Sequence, residues 1–160
     1  MLSFDDPRLV LPDGGERMAM QVSAGVAAMR KAPAADATQV NQVLFGESVI
    51  LHHEEGEFGL VQSDVDRYVG WVLMEALSAP VLDATHRIIA PRVHTYAEPK
   101  ITGAPHFVLG PGARLTATGR REGSYTELER AGWVVDHLVA ALSVVEDDPV
   151  AVAERSLGTP

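Results

Sequence analysis

One short pattern occurs twice in this chain, and it limits what the chain can fold into more than any other feature. Gly70-Trp71-Val72 is followed by Leu77, and Gly132-Trp133-Val134 by Val139, six residues after the tryptophan in each case. The two tryptophans lie 62 residues apart. Upstream, Leu44-Phe45-Gly46 matches Val108-Leu109-Gly110, and Arg30-Lys31-Ala32-Pro33 loosely matches Tyr96-Ala97-Glu98-Pro99, at offsets of 64 and 66 residues. Landmarks that recur in one order mark a duplicated unit of about 60 residues, near the lower size limit for a domain that folds alone.

The apolar pattern inside each unit has the character of strands. Ser48-Val49-Ile50-Leu51-His52, Phe58-Gly59-Leu60-Val61-Gln62 and Tyr68-Val69-Gly70-Trp71-Val72 are short, partly β-branched or aromatic, and bounded by turns. Turn chemistry supplies the breaks: Glu55-Gly56-Glu57 and Asp64-Val65-Asp66 in the first unit, Gly110-Pro111-Gly112 and Arg121-Glu122-Gly123 in the second. The predicted fold is therefore all-β, two small antiparallel barrels in tandem, each of five or so strands closing on one core. The repeated tryptophans are expected to fill those cores, a sugar-stacking platform being the alternative. The predicted divisions are an arm over residues 1–17, barrels over 18–80 and 84–146, and a C-terminal helix over 148–160. Asp148-Pro149 reads as an N-cap followed by proline at the first helical position. Val150, Ala153 and Leu157 form an apolar stripe, and Gly158 is a stop.

Charge and composition exclude several function classes. With 22 acidic against 13 basic residues the formal charge is −9, so the phosphate neutralisation on which nucleic-acid binding depends is missing and an anionic membrane surface would repel the chain. No cysteine is present, which removes disulfides, thiolate metal sites and a cysteine nucleophile from these residues. The opening Met1-Leu2-Ser3-Phe4-Asp5-Asp6-Pro7 lacks the basic start and apolar run of a secretory signal, so with Met1 as the natural start the expected location is cytoplasmic.

The side chains that invite a catalytic or metal reading do not assemble one. His52 and His53 are neighbours that face opposite sides of a strand, and His86, His94, His106 and His137 fit no zinc spacing. Asp64, Asp66 and Glu75 fall at the first, third and twelfth positions of a calcium-loop count, but Val69 stands where the loop needs glycine. Gly110-Pro111-Gly112 has no phosphate-loop sequel. No cofactor or metal is expected, and no nucleophile, base and orienting group occur as a set.

These landmarks, with Phe45-Gly46-Glu47, Asp66-Arg67-Tyr68-Val69-Gly70-Trp71-Val72 and the closing Ala153-Glu154-Arg155-Ser156-Leu157-Gly158-Thr159-Pro160, resemble the accessory region of the NlpC family of cell-wall cysteine peptidases. Several members begin with two bacterial SH3 (SH3b) domains. The resemblance implies a region truncated before the catalytic domain, whose Asp-Cys-Ser-Gly motif would lie downstream. For the complete protein it implies hydrolysis of the γ-D-glutamyl to diamino-acid bond of peptidoglycan stem peptides. The chain itself is then non-catalytic, its partners being its own downstream peptidase domain and murein stem peptides. An independent SH3-like module that binds murein or a protein partner is the alternative.

The two units differ in one place. Fifteen residues separate Gly56 from Trp71 but ten separate Gly123 from Trp133, so the hairpin carrying Asp64, Asp66, Arg67 and Tyr68 is private to the first unit. In the family, a tyrosine just before the Gly-Trp of the first SH3 domain helps wall the substrate site, and Tyr68 fits that place. Glu47 is the candidate partner for the free amine of a stem peptide. The alternatives are an aromatic packed on its hairpin and a solvated strand-edge acid. The second barrel is expected to be chiefly a spacer.

Overall fold

Alternation of buried and exposed side chains turns the apolar runs into strands, and turns at every predicted break make neighbouring strands antiparallel. The computed structural model describes residues 17–154 and 157–158. The remainder of the predicted arm (residues 1–16), together with Arg155, Ser156, Thr159 and Pro160 of the closing segment, lies outside the described residues. The chain divides between Leu82 and Asp83 into two units.

The first unit runs β1 (Met18–Val22), β2 (Val26–Arg30), β3 (Gln39–Leu44), β4 (Ser48–Glu55), β5 (Phe58–Ser63) and β6 (Val69–Leu73). A single 3-10 turn (Met74–Ala76) then leads to the two-residue β7 (Leu77–Ser78). All pairings are antiparallel, and the strands form one curled sheet in the order β3-β2-β6-β5-β4-β1-β7. Its core is built of Val22, Met29, Val43, Val49, Val61 and Val72, each no more than 1% exposed.

The second unit runs β8 (His86–Ile88), β9 (Val93–Tyr96), β10 (Pro105–Leu109), β11 (Arg114–Leu115), β12 (Ala117–Glu122), β13 (Tyr125–Leu128) and β14 (Gly132–Val135). Again a 3-10 turn (Asp136–Leu138) leads to a closing strand, β15 (Val139–Ala141). The strands form two sheets, β10-β9-β14-β13-β12 and β11-β8-β15. Joining β11 to β12 across Thr116 would reproduce the order of the first unit, so the two units share one topology with a single interruption. At that break the Ala117 amide donates to Thr85 Oγ1 (2.9 Å) and the Thr116 hydroxyl to the Asp83 carbonyl (2.9 Å), bonds that replace ladder pairing. The unit's core is Ile88, Val93, Leu109, Ala113, Leu115 and Val134, with the buried Thr95 satisfied by accepting from the Phe107 amide at 3.1 Å.

The repeat is thus structural. Gly-Trp-Val forms the strand before the 3-10 turn in both units, and Leu77 and Val139 each begin the closing strand. Arg30 lies opposite Trp71 in register, as Tyr96 lies opposite Trp133. The valine of the triplet fills the core in both units, Val72 and Val134 being 0% exposed, and strand alternation turns the adjacent ring to the opposite face. The expectation of a buried tryptophan holds for Trp133 and is corrected for Trp71. Trp71 is half-buried there, edge-on to His53 with centroids 6.0 Å apart. Trp133 is 6% exposed, with the Arg120 guanidinium 5.4 Å from its ring centroid.

The C-terminal helix is shorter than predicted, Pro149–Glu154, and none of its residues is buried. Its start follows the expected chemistry, Asp148 Oδ1 accepting from the amides of Val150 (2.9 Å) and Ala151 (3.1 Å). Gly158, expected as the helix stop, has a left-handed φ of +82° but lies four residues beyond the last helical residue, Glu154.

Candidate functional site

The two residues singled out in the first unit, Glu47 and Tyr68, sit on loops at one end of its sheet. Glu47 closes the turn between β3 and β4. Its Oε2 accepts from the Leu44 amide at 2.9 Å and its own amide donates to the Leu44 carbonyl at 3.0 Å. The turn is anchored to β1 from two sides. Gly46 N donates to Val22 O (2.8 Å), and Val22 N donates to Glu47 O (2.9 Å). The buried Gln21 amide donates to the carbonyls of Gly46 and Leu82, both at 3.0 Å, and accepts from the Leu82 amide at 3.3 Å. Glu47 is therefore a half-buried carboxylate with one oxygen committed to the turn, a structural duty that the sequence did not reveal.

The neighbouring loop is the five-residue connection from Asp64 to Tyr68. It abuts the Glu47 turn through Asp64 N donating to Ser48 O at 3.1 Å. The loop is braced throughout. The Ser63 hydroxyl accepts from the Val65 amide (3.1 Å), and Asp66 accepts from Asn41 Nδ2 (2.8 Å) and from the Tyr68 amide (3.1 Å). Arg67 adopts a left-handed φ of +65°, and its carbonyl accepts from Gln62 Nε2 at 3.2 Å. Desolvation pushes the Asp66 carboxyl up. The bonds from Asn41, the Tyr68 backbone and Ser63 together outweigh it and hold Asp66 below its ordinary value. It is thus a fixed acceptor at neutral pH.

This bracing sets the position of Tyr68. Its carbonyl accepts from the Ser63 amide at 2.9 Å, and its half-buried ring packs against the core of the first unit. The structure thus brings Tyr68 and the Glu47 turn onto adjoining loops of one barrel end. The second unit has no such loop: β13 and β14 are joined by Glu129, Arg130 and Ala131 alone. Asp64, Asp66 and Glu75 do not converge, and no cluster suited to a metal ion occurs among the described residues.

Residues 29–77 match a family model described as the bacterial dipeptidyl-peptidase SH3 domain. The first unit carries a bacterial SH3 domain. The matched span contains both Glu47 and Tyr68, so the candidate site is part of that SH3 domain and not an addition to it. No curated protein matches the chain. Among solved structures, a NlpC/P60 family protein from Bacillus cereus ATCC 10987 aligns with 86% of this chain at a TM-score of 0.68 and 13% identity. That coverage exceeds either unit, so the likeness of fold extends beyond the SH3 domain into the second barrel. The chain spans 63% of the length of the Bacillus cereus protein. NlpC2 and NlpC1 from Trichomonas vaginalis align over 85% and 87% of this chain and 53% and 50% of their own, at 11% and 14% identity. Their TM-scores of 0.35 and 0.36 are below what a shared fold requires.

Proposed function

We propose that this chain is the accessory and substrate-gating region of a peptidoglycan stem-peptide cysteine peptidase, and that its first SH3 domain helps recognise the free N-terminus of the peptide. The observation that carries the reading is the match of the first unit to the SH3 domain of bacterial dipeptidyl-peptidases. The fold shared with a NlpC/P60 protein longer than this chain supports it. The braced loop gives the proposal its chemistry. A tyrosine on a rigid hairpin offers an apolar face to an alanine-like side chain and a hydroxyl to an ammonium or a peptide carbonyl. Glu47 on the adjoining turn supplies the opposing charge, and exclusion of water by a docked peptidase domain strengthens the pairing. The thiolate comes from that downstream domain, since the chain has no cysteine. A cytoplasmic setting, where free-amine stem peptides would be met in solution, belongs to this reading.

The test is to read the sequence beyond Pro160 and assay the full-length product. The expected continuation contains a Tyr-x-Trp-Gly-Gly and then an Asp-Cys-Ser-Gly. The full-length protein should cleave murein stem peptides and lose that activity on thiol alkylation, whereas residues 1–160 alone should give no turnover. A stand-alone protein that holds murein without cleaving it would establish the independent binding module instead.

A further inference from the structure

The two units carry a groove at the same place, and its chemistry reverses between them. In the first unit a groove of about 500 Å³ is lined by Ala35, Glu57, Phe58, Leu73, Met74 and Glu75. In the second, a groove of about 530 Å³ is bounded by the equivalent elements: Ile101 after β9, Tyr125 opening β13, Val135 ending β14 and His137 in the 3-10 turn. Tyr125 replaces Phe58, Ile101 replaces Ala35 and His137 replaces Glu75, so an acidic groove has become one that no carboxylate lines. Strand alternation completes the change. Val93 and Thr95 of β9 point into the core, which turns Arg92, His94 and Tyr96 outward onto one face, and all three line the groove. The corresponding positions on β2 are Val26, Ala28 and Arg30. Asp136, which precedes His137 and interacts with its ring electrostatically, is engaged by Arg121 at 2.5 Å and Thr126 at 2.7 Å. On a chain of net charge −9, one arginine and two histidines line one groove, with no carboxylate in its lining, beside two tyrosines packed edge-to-face at 6.5 Å.

We propose that the groove of the second unit binds the carboxylate end of a short peptide. The Arg92 guanidinium pairs with the carboxylate, the imidazoles of His94 and His137 donate to it, and Tyr96, Tyr125 and Ile101 hold the adjoining apolar side chain. This gives the second barrel a task of its own in place of the spacer role, and it stands apart from the reading of Tyr68.

The experiment is an NMR titration of the whole chain with N-acetyl-alanyl-alanine, with the same peptide amidated at its C-terminus, and with acetate. The free acid should shift resonances of His94, Tyr96, Tyr125 and His137. Amidation and Arg92→Gln should each weaken binding about tenfold or more, the scale of one lost charge-assisted hydrogen bond. His137→Gln, at an exposed position that leaves the fold intact, should weaken it less. Acetate should bind more weakly than the peptide. Equal binding of acid and amide, shifts centred elsewhere, an Arg92→Gln protein with undiminished affinity, or acetate matching the peptide would each overturn the proposal.

Discussion

At the scale of single residues, burial separates positions that the repeat makes look alike. Trp133 is nearly enclosed and Trp71 is not, so Trp133→Ala should cost about 3–5 kcal/mol and Trp71→Ala about 1 kcal/mol. Chemical denaturation of the two variants measures this, and equal losses would contradict the assignment of the rings to different environments. The sequence showed that both positions matter. It could not show which neighbour in Gly-Trp-Val faces inward, because alternation alone allows either phase until the sheet partners are known. His52 is a second case. A bulge between Leu51 and His53 inserts it into the β4–β5 pairing, and it is 7% exposed with Nε2 unpartnered among the described residues. Desolvation and then the charge of Arg17 lower its pKa below 6.5. The unfolded chain therefore binds the proton more tightly, so stability is full above about pH 6.5 and falls as the pH drops toward the depressed folded value. Thermal midpoints measured from pH 7.5 to pH 5 should decline for the wild type, and His52→Leu should flatten that part of the decline. Identical slopes would show that His52 is accommodated in its charged form.

At the scale of elements, the repeated glycine explains why the pattern survives in both units. A Cβ at Gly70 would lie 2.3 Å from Met29 Cγ on the facing strand. One at Gly132, where φ is +74°, would lie 2.3 Å from the Tyr96 carbonyl oxygen. A side chain can yield more easily than a backbone carbonyl, and the left-handed φ adds its own strain. Gly132→Ala should therefore destabilise by about 3 kcal/mol or more, with Gly70→Ala less harmful, as comparative melting of the two variants would reveal. Strands and turns were legible because β-branched runs and Gly, Asp and Pro breaks are local signals. The two-residue strands β7 and β11 were not, since pairing with distant partners alone defines them. The Glu47 turn was equally hidden: its clamp requires Gln21, 26 positions upstream, whose three bonds to Gly46 and Leu82 no spacing rule encodes. The short helix is the opposite case, local throughout. Asp148→Ala should fray residues 149–154 in hydrogen exchange without moving the melting of the barrels, because no helix residue is buried.

At the scale of the whole molecule, duplication frees one copy to change while the other keeps a task. The first barrel has a five-residue β5–β6 connection, the braced loop that presents Tyr68, where the second has a three-residue link. The duplicated groove is lined by two glutamates in the first unit and by an arginine and two histidines in the second. Both differences lie outside the cores, where Val72 and Val134 still occupy the same place. The central claim is that the private loop reads the amine end of a peptide. The measurement that tests it most directly is the steady-state kinetics of the full-length protein and its Tyr68→Ala variant on free-amine stem peptides and on the same peptides acetylated at the N-terminus. Tyr68→Phe, which keeps the packing of the ring, separates the hydroxyl from the fold. The account predicts that Tyr68→Ala raises KM for the free-amine peptides, with little change for the acetylated ones. Equal kinetics for wild type and variant on both substrates, with the fold intact, would contradict it and reduce Tyr68 to a packing residue of the hairpin.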